Sequence, residues 1–130
     1  MTMANEKILM LTMAVSDMAK SKAFYAEQLG WSVTTDVGQG DQHWVTVQPP
    51  GGGTAVTLTT MHGNMKPGAM HLYLSTPNIE ATHNEYKARG LQVSEVKDDL
   101  YGPGSGVKWF PLKDPDGNVW QVAQSEAPPS

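Results

Sequence analysis

The sequence contains one supersecondary pattern twice. Met10-Leu11-Thr12-Met13-Ala14-Val15-Ser16-Asp17-Met18, running on to Phe24-Tyr25 and Leu29-Gly30-Trp31, has a counterpart 61 residues later in His71-Leu72-Tyr73-Leu74-Ser75-Thr76-Pro77-Asn78-Ile79, followed by Tyr86 and Gly90-Leu91. Tyr25 maps onto Tyr86 at that offset; dropping one residue brings Gly30 onto Gly90 and Val33 onto Val93. Farther on, Trp44-Val45-Thr46-Val47 matches Trp109-Phe110-Pro111-Leu112 at an offset of 65. Gly53-Thr54-Ala55-Val56-Thr57 matches Gly117-Asn118-Val119-Trp120-Gln121 at 64. A repeat of this length implies two copies of one unit that share a core.

Read in order, residues 7–15 predict a strand and Asp17 an N-cap for a helix over 18–28, closed by Gly30. Met18, Ser21, Phe24, Tyr25 and Leu29 form the helix's buried stripe. Strands follow at 31–35, 43–48 and 54–60, with glycine-rich turns at 38–40 and 49–53. Residues 61–68 read as a linker. The second copy gives a strand at 69–75, a helix with Pro77 in its first turn and Gly90 at its end, and a strand at 91–96. A glycine-rich loop then covers 98–106, with Tyr101 at its middle, and a hairpin joins 107–113 to 118–123. Asp114-Pro115-Asp116-Gly117 suits that hairpin's turn, with proline at i+1 and glycine at the left-handed position. Residues 125–130 form a tail too polar to pack.

The expected fold class is therefore α+β: one domain of two β-α-β-β-β modules, at about 7–60 and 69–124, with eight strands and two helices. Leu9, Leu11, Met13 and Val15 alternate onto one face with Val45, Val47, Val56 and Leu58, and Leu72 and Leu74 with Phe110, Leu112, Trp120 and Val122. These faces suit helix cover. The opposite faces are mixed, carrying Met10, Thr12, Trp44, Thr46, Thr57 and Thr59 in copy one, and His71, Tyr73, Ser75, Trp109 and Gln121 in copy two. A mixed face in a curled sheet predicts a lined cavity.

Thirteen acidic residues against nine basic ones, dispersed along the chain, leave no basic patch and argue against nucleic acid as a partner. No apolar run approaches a membrane span and no signal-peptide core stands at the start, so a cytoplasmic protein is expected. The absence of cysteine removes disulfides, thiolate nucleophiles and thiolate metal sites. Arg89, the single arginine, sits near a helix C-terminus, where it answers the helix dipole. A chain with no spare guanidinium is poorly equipped to grip an anionic ligand. His83, on the second helix, is expected to face solvent.

Val15-Ser16-Asp17, Ser21, Phe24-Tyr25, Leu29-Gly30-Trp31 and the closing Asp114-Pro115-Asp116-Gly117-Asn118 resemble the vicinal oxygen chelate superfamily, which includes glyoxalase I, extradiol dioxygenases, and the fosfomycin- and bleomycin-resistance proteins. The resemblance spans residues 8–124. It implies paired β-α-β-β-β modules that form cupped mixed sheets around a cavity, each covered by a helix, commonly in a homodimer. In the family's metalloenzymes a divalent ion is held from the first and last strands of the modules, at positions that correspond here to Met10, Thr57, His71 and Gln121. Only His71 is a strong ligand among these. Met10 stands where the enzymes have histidine, Gln121 where they have glutamate, and Thr57 where glyoxalases carry a carboxylate.

Hard and borderline divalent ions require imidazole nitrogen and carboxylate oxygen, whereas a thioether prefers soft ions such as Cu(I). No cofactor is therefore expected; a weakly held divalent metal would need His43 or His62 to swing in. The function read from the residues is metal-independent binding of a small, partly aromatic organic molecule. Its expected contacts are Met10, Thr12, Trp44, Thr57, His71, Tyr73, Tyr101, Trp109 and Gln121, with Trp44 and Trp109 stacking on the ligand. The alternative is a lyase or isomerase of glyoxalase type that uses a weak metal site or His71 as acid–base catalyst.

Overall fold

The computed structural model describes residues 6–125, so the polar lead over 1–5 and most of the expected tail lie outside the described residues. The chain divides into two compact units between Pro67 and Gly68, inside the expected linker.

In the first unit, β1 (Met10–Ala14), β2 (Ser32–Gln39), β3 (Gln42–Gln48) and β4 (Ala55–Thr59) form a mixed sheet in the order β1-β4-β3-β2, with β1 and β4 parallel. Asp17 caps α1 (Met18–Lys22), its carboxylate accepting from the Lys20 amide at 3.1 Å. The helix then widens into a π-helical segment, Ala23–Gln28. The wider turn accommodates two consecutive buried rings, Phe24 and Tyr25, edge to face at 5.0 Å. Met18, Ser21, Phe24, Tyr25 and Leu29 are all buried, as the periodicity requires, against Met13, Val15, Val45, Val47, Val56 and Leu58. Leu9 departs from the expected face and is 76% exposed, because pairing with β4 begins only at Met10. At the β2–β3 turn Gly38 has φ +84°, and a Cβ there would stand 1.9 Å from the Gln42 carbonyl oxygen; only glycine fits.

In the second unit, β5 (His71–Thr76), β6 (Trp109–Lys113) and β7 (Val119–Gln124) form a sheet in the order β5-β7-β6. The helix α2 (Ile79–Ala88) is capped by Asn78, whose side chain accepts from the Ala81 amide at 3.1 Å. Pro77 therefore precedes the cap and does not occupy the first turn as expected. Leu72, Ile79, Tyr86, Leu91, Phe110, Leu112, Trp120 and Val122 form the core.

The expected strand over 91–96 is not present as a ladder; a single bridge joins Lys97 to Trp109, so the described residues hold seven strands. The competing bond is visible. His83 Nε2 lies 2.8 Å from the Ser94 carbonyl oxygen, which takes up an acceptor that a sheet would need. His83 also packs edge-on against Phe110 at 5.0 Å, so it is a tether between helix and loop and not the solvent-facing side chain expected.

The sheet registers prove the repeat. Met10 pairs with Ala55 and Thr12 with Thr57; at equivalent places His71 pairs with Val119 and Tyr73 with Gln121. Trp44 stands opposite Thr59, and Trp109 opposite Ala123. The order β5-β7-β6 therefore repeats β1-β4-β3 with the same face parity, and β2 has no ladder counterpart among the described residues of the second unit. No described helix is long and apolar enough to cross a membrane.

Candidate functional site

The face of the first sheet opposite α1 is a concavity of about 460 Å³ lined by Met10, Thr12, Thr35, Trp44, Thr46, Thr57, Thr59, Met61 and Met65. Pairing explains the assembly: Thr12, Thr57 and Thr46 stand side by side across β1, β4 and β3, with Trp44 and Thr59 one step along. Of the expected contacts, Met10, Thr12, Trp44 and Thr57 are thus brought together. Trp44 is 41% exposed, an indole standing open at the rim.

Thr46 and Thr59 join them from the expected mixed face, and three further lining residues were expected neither as contacts nor on that face. Thr35 owes its place to a β-bulge between Val33 and Thr35, which sets it opposite Thr46; unbroken alternation from Val33 would have turned it to the helix side. Met61 and Met65 come from the stretch read as a linker. Met61 is fixed by its amide, which donates to Thr59 Oγ1 at 3.0 Å, and the turn is closed by the Met65 amide on the His62 carbonyl at 2.8 Å. Two methionines in an otherwise polar linker were the available signal.

The floor is bonded internally. Thr57 Oγ1 donates to Met10 Sδ at 3.2 Å and shares a 2.9 Å hydrogen bond with Thr46 Oγ1. Since Thr57 has one proton and gives it to sulfur, Thr46 is the donor in the second bond. No lining residue is ionisable.

In the second unit a concavity of about 500 Å³ lies over Tyr73, Ser75, Tyr101, Val107, Lys108 and Gln124, among others. Tyr73 and Tyr101 are strongly exposed. His71 is exposed and stacks on Tyr73 with ring centroids 5.5 Å apart. Gln121 stands opposite Tyr73 and Pro111 in the register. Trp109 is not among the residues that line this concavity. Its indole N–H donates to Asp99 Oδ1 at 2.9 Å and Lys97 Nζ lies 5.5 Å over its ring, so it anchors the root of the 98–106 loop. Lys108 pairs with Glu80 at 3.1 Å and holds that carboxyl below the usual range.

The family's metal positions offer a thioether already accepting a hydrogen bond, a hydroxyl engaged on both sides, one imidazole and one amide. This donor set does not fit a divalent ion, which needs anionic or several imidazole ligands to replace its water. Neither auxiliary histidine is idle: His43 Nε2 lies 2.6 Å from Asp36 Oδ1, and His62 Nε2 lies 2.8 Å from the Val15 carbonyl oxygen. Among the described residues no cluster of three or more His, Asp or Glu side chains could hold a metal.

With the architecture and its two concave faces defined, relatives can be compared. Residues 7–122 match the family model for the Glyoxalase/Bleomycin resistance protein/Dioxygenase superfamily. The chain belongs to that superfamily. Among solved structures, this glyoxalase-superfamily chain is similar to TnmS3, an antibiotic binding protein from Streptomyces sp. CB03234, at 30% identity and a TM-score of 0.78, over 96% of this chain and 100% of that one. It is also similar to a glyoxalase/bleomycin resistance protein from the same organism, at 29% identity and a TM-score of 0.75, over 91% and 100%. A superfamily member from Sphaerobacter thermophilus DSM 20745, at 24% identity and a TM-score of 0.76 over 93% and 98%, shares the fold. No curated protein matches the chain in sequence.

Proposed function

We propose that this chain binds a neutral, planar, partly aromatic organic molecule in the Trp44 concavity, without a metal ion, and sequesters it without transforming it. One observation carries the reading: an open indole stands over a floor of threonine and methionine that contains no ionisable side chain. An anion would find no counter-charge there, and a sugar too few hydrogen-bonding groups for its hydroxyls. A flat apolar molecule finds an aromatic wall, three adaptable thioethers and a few hydroxyls to orient it. The similarity to an antibiotic binding protein over 96% of this chain supports the same reading.

On the second unit, Tyr73, Tyr101, His71 and Gln121 are proposed as aromatic and polar contacts of their own face, with Trp109 behind the loop. The reading also takes the protein as a cytoplasmic homodimer, on the family's habit of assembly; its mass in solution checks that part.

The test is a fluorescence titration of neutral planar drugs, quinones and aromatic metabolites against wild type and Trp44→Ala. Binding should quench tryptophan emission. The alanine variant should lose about 1–3 kcal/mol of affinity, stacking and buried area together. A bound compound held equally well by Trp44→Ala would overturn the assignment of the seat.

A further inference from the structure

We propose that Met10, Met61 and Met65 are a modification site, at which two-electron oxidation by a hydroperoxide closes the Trp44 concavity to its ligand. The inference rests on the binding function proposed above and concerns the regulation of that site.

The chain has eight methionines, and the fold sorts those among the described residues. Met13 and Met18 are buried, at 1% and 8% exposure. Met10, Met61 and Met65 are exposed at 42%, 38% and 39%. Among the described residues these are the exposed methionines, and all three line the same concavity, although they come from β1 and from the connection after β4. Apolar side chains of this size are left open here while smaller ones are fully covered. Leucine would supply equal bulk with a better-defined shape. What the thioethers add is polarisability and a reactive sulfur lone pair.

In the reaction the sulfur lone pair attacks one peroxide oxygen and the O–O bond breaks. An S–O bond forms, and the departing oxide takes the proton that the attacked oxygen carried, leaving as water or an alcohol. Sulfur loses two electrons and the peroxide gains them. The product sulfoxide is strongly polar and a good hydrogen-bond acceptor. At Met10 the Thr57 hydroxyl, already donating to the sulfur at 3.2 Å, is in place to hold the new oxygen. Polar oxygens in this floor bring water with them, which a flat apolar ligand would have to displace.

The experiment treats the full chain with limiting hydrogen peroxide, maps sulfoxides by peptide mass spectrometry, and measures binding of Nile red, a neutral planar dye. Met10, Met61 and Met65 should gain oxygen before Met13 and Met18, and the oxidised chain should bind the dye about tenfold more weakly or worse. A chain with Met10→Leu, Met61→Leu and Met65→Leu, whatever its own affinity, should keep that affinity through the same treatment. Oxidation of Met13 and Met18 at equal rates, or equal loss of binding in the leucine variant, would overturn the proposal. Dye binding that survives sulfoxide formation at all three positions would overturn the regulation alone. A chain that binds no dye before treatment would overturn the functional reading and the regulation with it.

Discussion

The Thr57 hydroxyl donates to the Met10 sulfur at 3.2 Å, across the β1–β4 pair whose equivalents in the family's metalloenzymes help to hold a divalent ion. The bond turns two potential ligands toward each other. With Thr46 donating to Thr57, the floor satisfies its own hydrogen bonds and carries no charge. Excess zinc, nickel or manganese should therefore raise the unfolding free energy by less than about 1 kcal/mol, and chelator should leave the melting temperature unchanged. A tight site would contribute about 2.7 kcal/mol at a metal concentration of a hundred times Kd. Calorimetric scans with metal and with chelator decide it.

Asn118 should matter more to stability than any residue that lines the concavities. It is fully buried, its Nδ2 donates to Asp114 Oδ2 at 2.8 Å, and its Oδ1 accepts from the Met70 amide at 2.9 Å. Asn118→Ala leaves a buried carboxylate oxygen and a backbone N–H without these partners. The expected loss is about 2–4 kcal/mol, read as a lower urea midpoint at unchanged slope.

Asp36 ties three elements: it accepts from Lys22 of α1 at 2.5 Å and meets His43 of β3 at 2.6 Å, from its own place on β2. The Lys22 hydrogen bond first, and the His43 one second, hold its carboxyl below the ordinary value of 3.8. A depressed folded-state pKa gives stability that is present above the unfolded value and is lost as pH falls through the folded one. Wild type should therefore lose stability below about pH 4 more steeply than Asp36→Asn. Urea midpoints of both proteins from about pH 7 to about pH 2.5 should converge on the acid side.

The Asp99–Trp109 bond should govern the motion of the loop that carries Tyr101. Beyond that anchor the loop is held by the Leu100 amide on the Val107 carbonyl and by Ser105 Oγ, which receives the Tyr101 and Val107 amides at 3.4 Å each. Trp109→Phe keeps the ring and deletes the indole N–H. Amide exchange at Gly102 and Ser105 should then speed up by about tenfold, while global stability changes by about 1 kcal/mol. Exchange rates unaltered by the substitution would show that the Leu100 and Ser105 bonds hold the loop without the indole.

The duplicated pattern by itself determined the two-module plan, the helix-covered apolar faces and the opposite mixed faces. Each follows from local periodicity: alternation along a strand, the 3.6-residue repeat, and turn residues such as Gly30, Gly90 and Asp114-Pro115-Asp116-Gly117. The grouping of Met10, Thr12, Trp44 and Thr57 on one face was legible for the same reason. Other features were decided by tertiary contact. Thr35 reached the concavity because a bulge broke the strand's parity, and no residue type announces a bulge. Met61 and Met65 joined the wall because a backbone amide found the Thr59 hydroxyl and a turn closed on His62. The strand over 91–96 gave way when His83, eleven positions before Ser94, took its carbonyl. Trp109 became an anchor when Asp99, ten positions before it, met its indole N–H. Such bonds form between partners that only the folded backbone brings within 3 Å, and the periodicity of a single segment carries no trace of them.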